Sequence, residues 1–225
     1  MDFNDLQNLY LGISKKQDAS MKNDFKNRLS FFKNKGLSDK VIISANLVHK
    51  DRVVMVDKLT ESQNILACDA LITNNRQQLL SLTVADCLPI YFYDQEKQAI
   101  ALAHAGWRGV VLNIAGRVVD KFIKHYQSNP ENILVFIGPH IQKCHFEVND
   151  DVSSQFAEKY LVKREDKIYI DLSQVVFDQL LSSGLSFRHV KISDDCTFCL
   201  DKDYFSYRRD KPEELETMIA YLGLK

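Results

Sequence analysis

The apolar positions of this chain change period repeatedly, and the changes divide it into short strands and helices. Val41–Ala45 and residues 53–56 are β-branched runs of strand length, and 79–84, 89–93 and 99–103 read as buried strands. Between and after them the period lengthens. Phe25, Leu29 and Phe32 share one helical face, with Gly36 as a stop, and Val111, Ala115, Val118 and Phe122 keep helical spacing up to Asn129-Pro130. Ile133–Ile137 is a further strand ended by Gly138-Pro139. Val152, Phe156 and Tyr160 then predict a helix capped by Asn149 or Asp150. Residues 167–172 alternate as a strand, and Ser173 caps a helix that Gly184 ends. Residues 187–192 read as a last strand and 212–222 as a last helix. Clustered strands with interspersed helices predict an α+β or mixed α/β fold. No repeat, low-complexity tract or linker interrupts it, so residues 1–225 are expected to form a single domain.

Composition narrows the function. The 225 residues are 45% hydrophobic, enough to bury a core without cross-links. With 29 basic and 30 acidic side chains the net charge is -1, which argues against nucleic acid or an anionic membrane as the main partner. Five irregularly spaced cysteines do not make a disulfide framework. The opening MDFNDLQNLYLG lacks a basic-then-apolar signal, and no apolar run approaches the roughly 20 residues of a membrane span. Reduced thiols and a cytoplasmic location are expected. Six histidines are too few for a multinuclear copper oxidase but ample for one mononuclear metal site.

Residues able to bind a metal recur just past apolar strand-like runs: His49 after VIISANLV, Cys87 after LLSLTVAD and His104 after AIALA. Strand ends are rigid yet can face a cleft. Two imidazoles and a thiolate suit zinc and leave a fourth position open for water or substrate. Their wide separation in sequence also fits three unrelated core or surface groups. In His104-Ala-Gly-Trp-Arg-Gly109, Gly106 and Gly109 let the backbone approach a ligand, and Arg108 offers a planar fork for phosphate or carboxylate. A helix-entry turn with Trp107 in the core explains the same residues. Asp86 could orient a ligand or carry a proton, or be a turn residue. His140, Cys144, His145 and Glu147 form a second polar cluster, read as a pocket-lining loop more readily than as a second metal site. Cys196-Thr-Phe-Cys199 is a lone CxxC, and Tyr204-Phe-Ser-Tyr-Arg-Arg-Asp210 could bring cations to a phosphate. The H-x-E and P-C-x-x-C pairing of cytidine deaminases is absent.

Four ordered motifs carry a family resemblance. Thr83-Val-Ala-Asp-Cys-Leu-Pro89, Ala103-His-Ala-Gly-Trp-Arg-Gly109, Ile137-Gly-Pro139 with Cys144-His-Phe-Glu-Val148, and Cys196-Thr-x-x-Cys with Phe205-Ser-Tyr-Arg-Arg-Asp210 together resemble the zinc-dependent purine nucleoside phosphorylases. That family was formerly described as laccase-domain or polyphenol oxidase proteins, and in part as peptidoglycan editing factors. The resemblance runs from Asn27-Arg28 to Met218. It implies an α+β fold of mixed β-sheets flanked by helices in α/β/β/α layers, with zinc held by His49, Cys87 and His104. It also implies phosphorolysis of adenosine, inosine and methylthioadenosine, together with adenosine deamination. Arg108, Gly106 and Gly109 are then the expected phosphate holders, Cys144 and Glu147 further pocket residues, and Asp86 or Glu147 the proton carrier. Purine nucleosides and inorganic phosphate are the expected partners of a monomer or small homo-oligomer.

The chain departs from the family pattern at Leu47 and Lys50, which flank the first ligand, at Glu216-Thr217, and across residues 15–23. Those departures leave the ligands intact and bear on substrate preference. Three other readings remain: a copper oxidase of phenols, a hydrolase of cell-wall precursors using Cys87 as nucleophile and His104 as base, and a zinc-retaining binding protein.

Overall fold

Two sheets lie face to face, and period-two alternation in their strands is the reason. The computed structural model describes residues 8–22 and 25–225, with the side chain of Phe25 outside the described set. The first half of the chain forms β1 (Leu9–Ile13), α1 (Phe25–Asn34), β2 (Val41–Ala45), β3 (Val53–Met55), β4 (Gln63–Ile65), β5 (Ala70–Thr73), β6 (Gln78–Val84), β7 (Leu88–Asp94) and β8 (Ala99–Ala105). Next come α2 (Trp107–Val111), α3 (Ile114–Lys121), β9 (Ile133–Ile137), β10 (Glu147–Val148) and α4 (Asp150–Ser153). The chain finishes with β11 (Leu161–Arg164), β12 (Lys167–Ile170), α5 (Leu172–Ser182), β13 (Val190–Ile192), α6 (Tyr207–Asp210) and β14 (Met218–Leu224).

The strands assemble into a sheet of order β1-β14-β6-β2-β4, another of order β13-β9-β7-β8-β5-β3, and a small antiparallel sheet β10-β12-β11. Leu80, Leu82 and Val84 of β6 and Met218, Ala220 and Leu222 of β14 point between the two large sheets. There they meet Leu71, Tyr91, Tyr93, Ile100 and Leu102 from the opposing sheet. The intervening residues of that second sheet, among them Ile90, Phe92, Ala101 and Ala103, face outward. They are covered by Ile114, Val118 and Val119 of α3 and Val176 and Leu180 of α5. On the far side Leu79 and Ile219 pack against Phe31 and Phe32 of α1. The layers are therefore α/β/β/α, the mixed-sheet α+β arrangement expected. Among the described residues no helix is long and apolar enough to cross a membrane.

Several elements differ from the sequence expectation, each for a local reason. Residues 212–222 do not form a helix. Met218, Ala220, Leu222 and Leu224 alternate into the inter-sheet core as strand β14, paired antiparallel to both β1 and β6. The face of α1 is set by Phe31 and Phe32, whereas Leu29 is exposed. The helix expected around Val111–Phe122 is broken at Asn113, whose left-handed backbone (φ 57°) lets its side chain accept from the Gly116 N–H at 3.1 Å. Val152, Phe156 and Tyr160 do pack on one core, but the segment forms two separate short turns, α4 and a 3-10 turn at Glu158–Tyr160, in place of one helix. Asp171, not Ser173, caps α5: its carboxylate accepts from Gln174 N–H at 3.0 Å, and Ser173 Oγ donates to it at 2.8 Å. Residues 187–189 are a turn with Phe187 exposed, so the strand there begins only at Val190.

Chain crossings between the two sheets position the site. β6 and β7 lie in different sheets and only residues 85–87 separate them, so Asp86 takes a left-handed backbone (φ 80°) to make the corner. β2 and β3 also lie in different sheets, and His49 (φ 57°) sits in their connection. His104, near the end of β8, pairs across from Pro89 at the start of β7. Three sequence-distant segments thus arrive at one mouth between the sheets.

The packing of α1 gives a direct check. Phe32→Ala is expected to cost about 3–5 kcal/mol in urea unfolding, and Leu29→Ala, at an exposed position, less than about 0.5 kcal/mol.

Candidate metal centre and substrate cleft

A buried carboxylate organises the mouth. Asp69 immediately precedes β5 and is fully buried. It accepts from the backbone N–H of His49 at 2.8 Å, of Lys50 at 2.9 Å and of Val48 at 3.4 Å. It also accepts from His104 Nδ1 at 3.1 Å. Burial alone would disfavour its charge, but the bonds from His104, Lys50 and His49 outweigh that and hold its pKa below the ordinary carboxylate value. With Nδ1–H committed to Asp69, His104 keeps Nε2 for another partner, as metal-ligating imidazoles commonly do when a carboxylate holds the other nitrogen. Burial works against the charged imidazole of His104, yet the Cys87 sulfur and Asp69 prevail and raise its pKa to about 9. His49 moves the other way, lowered by burial and by facing His104.

The ligand atoms of His49, Cys87 and His104 lie within 4.8 Å of one another, with the two imidazole rings edge-on at 4.8 Å between centroids. Gly106 closes this cradle from behind. A Cβ there would stand 3.1 Å from Cys87 Sγ and 3.5 Å from the His49 ring, so the absent side chain keeps the space between the ligands open. A Cβ at Gly109 would likewise stand 3.0 Å from the Lys50 carbonyl oxygen, so the glycine lets α2 sit close to the loop carrying His49.

His49, Cys87 and His104 all line one cavity, and His49 and Cys87 also line a neighbouring one. One, of about 540 Å³, takes in Asn46, Asn64, Thr83 and Leu215, with Lys22 and Arg28 also lining it. That volume falls within the roughly 300–1,000 Å³ of small-molecule sites. The other, of about 270 Å³, is lined by Trp107, Arg108, Phe146 and Arg208. His49, Cys87, Ala85 and Tyr207 are common to both. Arg108 stacks on Trp107 at 4.2 Å from the ring centroid, and Arg208 lies 5.8 Å from that of Phe146. Of the neighbouring arginines, Arg209 is committed elsewhere: its guanidinium donates to the carbonyls of Thr197, Phe198 and Tyr204 and pairs with Asp210.

The remaining residues singled out in the sequence fall in distinct places. Asp86 lines the smaller cavity, but its carboxylate accepts from Thr197 Oγ1 at 2.6 Å, Ser206 Oγ at 3.1 Å and Arg208 N–H at 2.7 Å. It ties together the loops around the corner that carries Cys87. Glu147 sits on β10 and pairs with Lys167 at 3.0 Å, and neither it nor Cys144 is among the residues lining the two cavities. Cys144 instead joins His145, Cys196 and Cys199 in a second cluster able to bind a metal ion. His140 is buried, with Nδ1–H donating to the Gly138 carbonyl at 2.8 Å. Leu47 and Thr217 line the larger cavity, so those two departures from the family pattern touch its wall. Sequence reasoning missed Asp69, Asn46 and Asn64. Asp69 was hidden because β5 is short and no acid-plus-ligand spacing marks it.

Comparison with known proteins places the chain in a family. A family model described as multi-copper polyphenol oxidoreductase laccase matches residues 6–225. Purine nucleoside phosphorylase YlmD of Bacillus subtilis is 29% identical over 199 residues, 81% of this chain and 70% of that protein. Its counterpart in Geobacillus stearothermophilus is 36% identical over 163 residues, 69% of this chain and 59% of its own. The crystal structure of that Geobacillus YlmD superposes with a TM-score of 0.89 at 27% identity, covering 97% of this chain and 93% of the other. Hypothetical protein YfiH of Bacillus licheniformis gives a TM-score of 0.89 at 26% identity, over 96% and 93%. The chain belongs to the family described as multi-copper polyphenol oxidoreductase laccase, with relatives that bear the name purine nucleoside phosphorylase.

Proposed function

We propose that this chain is a zinc-dependent purine nucleoside phosphorylase acting on adenosine, inosine and methylthioadenosine, with adenosine deamination as a second activity. The observation that carries the reading is the His49, Cys87 and His104 triad lining a nucleoside-sized cleft, with His49 and Cys87 shared by a smaller arginine-lined cavity. The donor set fits zinc: two nitrogens and a thiolate, one imidazole fixed by a carboxylate, and no Cβ at Gly106 to fill the space between them. When bound, zinc supplies Lewis acidity toward an oxygen of water or substrate. Thiolate ligation also fits a reducing cytoplasm.

The chain's own residues account for the rest. Arg108 and Arg208 offer two guanidinium forks for inorganic phosphate, and stacking on Trp107 steadies the first. The side-chain amides of Asn46 and Asn64 supply donors and acceptors for ribose hydroxyls or the base edge, while Leu47 and Leu215 give apolar surface. In phosphorolysis a phosphate oxygen forms the new bond to the anomeric carbon as the glycosidic bond breaks. The electron pair leaves with the purine, which takes up a proton, and the products are free base and (methylthio)ribose 1-phosphate. Holding phosphate and nucleoside in adjoining cavities that meet at His49, Cys87 and Tyr207 supplies the required proximity. Asp86 acts here as a positioning residue for Cys87 and Arg208.

A second reading has one observation in its favour. Cys87, His104 and Asp69 are arranged as a thiol, an imidazole and the carboxylate that orients it, the order of groups in cysteine hydrolases. The copper oxidase reading rests on the family's description alone.

One assay separates these. Purified protein incubated with adenosine is expected to release adenine only when phosphate is present, and Cys87→Ala to lower the rate by at least about 100-fold. Phenol oxidation with bound copper, or amide hydrolysis that survives chelation, overturns the assignment. Asp69→Asn, read by competition with a chelator, is expected to weaken metal binding roughly 10- to 100-fold. Arg108→Ala and Arg208→Ala are each expected to raise the KM for phosphate about 10-fold or more with little change in the KM for nucleoside. Equal effects on both would place the arginines elsewhere in the reaction.

A further inference from the structure

Cys144, His145, Cys196 and Cys199 form a cluster that phosphorolysis does not use. Cys144 and His145 lie in the turn between β9 and β10, and the two other cysteines in the turn that follows β13. Backbone contacts hold the segments together. Residues 140 and 196 form a parallel bridge, and Thr197 N–H donates to the His140 carbonyl at 3.1 Å. Within the cluster, Cys144 Sγ is 3.5 Å from Cys196 Sγ and 3.8 Å from Cys199 Sγ. His145 Nδ1 is 3.2 Å from Cys144 Sγ and 3.3 Å from Cys199 Sγ. All four ligand atoms lie within 4.8 Å of one another.

The S···S spacings lie within about 0.3 Å, and the S···N spacings within about 0.4 Å, of the edges of a metal tetrahedron. Zn–S bonds of ~2.3 Å and Zn–N bonds of ~2.0–2.1 Å at tetrahedral angles require S···S edges of about 3.8 Å and S···N edges of about 3.6 Å. A disulfide would instead need sulfurs about 2.05 Å apart, and all five cysteines are free. Two further features belong to thiolate sites. The Gln142 N–H donates to Cys196 Sγ at 3.5 Å, and the His145 ring is fixed by stacking on Phe198 at 4.0 Å and 12°.

We propose that Cys144, His145, Cys196 and Cys199 hold a second, four-coordinate ion, a soft divalent metal of the zinc class, that is structural and not catalytic. The protein supplies all four ligands, so the ion has no position left for water or substrate, in contrast to the triad at His49. Binding displaces the thiol protons to solvent. The ion clamps the turn at 196–199 to the turn at 142–145. Thr197 between the cysteines donates to Asp86, next to the ligand Cys87, so the clamp braces the wall of the catalytic mouth. This inference stands apart from the assigned reaction, and its test reads metal, not turnover.

Elemental analysis of the full chain is expected to give roughly two ions per chain, falling to about one in the Cys144→Ser/Cys199→Ser double variant and to about one in Cys87→Ser. Cobalt loaded into Cys87→Ser should give the intense thiolate charge-transfer absorption of a three-sulfur site. Should the double variant fail to fold, the natural chain answers alone. In metal-stripped protein, alkylation of the exposed Cys199, followed at peptide level, is expected to slow by roughly 10-fold or more when zinc is restored. An unchanged alkylation rate, unchanged metal content in the folded double variant, or a Cys144–Cys196 disulfide in freshly purified protein overturns the proposal.

Discussion

The carboxylate of Asp69 is the contact on which the site depends. It is fully buried, a costly place for a charge, and it is stable there because four donors converge on it. Three of those donors are backbone groups of the loop that carries His49, and the fourth is the ring of His104. One side chain therefore shapes a loop in the connection between two sheets and selects which nitrogen of a histidine faces the cleft. Neither ligand could keep its orientation if the carboxylate were replaced by a group with fewer acceptors.

The sheets supply what Asp69 cannot. Cys87 reaches the mouth because the chain passes from one sheet to the other in three residues, and the corner is held by Asp86 through Thr197, Ser206 and Arg208. The same carboxylate that fixes the corner also fixes the backbone of Arg208, whose side chain enters the smaller cavity. Cys87 and Arg208 are thus coupled through one acidic residue. Asp69 and Asp86 divide the task, the first setting the imidazoles and the second the thiol.

Much of this was legible in the sequence where residue type and local pattern act together. The strands at 79–84, 89–93 and 99–103 announced themselves as continuous apolar runs, and His49, Cys87 and His104 stood just past such runs. The legibility failed where long-range pairing decides the outcome. Met218–Leu224 follows an acidic stretch and looks like the end of a helix, yet it becomes a strand because β1 and β6 present open edges on either side. Asp69 gives no local sign of its importance, since its partners are backbone N–H groups some 20 residues away. Cys144 and Glu147 sit three residues apart in one motif, yet one joins the sulfur cluster and the other a surface ion pair. Motif membership located the region but did not assign each member its contact.

The position of β14 has a consequence for the order of assembly. It lies between β1 and β6, so this sheet receives an interior strand from a segment synthesised after all its other strands. Met218 pairs with Val84, the residue that opens the corner leading to Cys87. Until β14 is in place, β6 lacks one neighbour and the corner lacks its support. Such non-local closure is slow and leaves apolar strand edges exposed in the meantime. The mouth between the sheets is accordingly completed late: a ribosome-bound fragment ending before Met218 contains His49, Cys87 and His104 and still has no finished sheet to hold them.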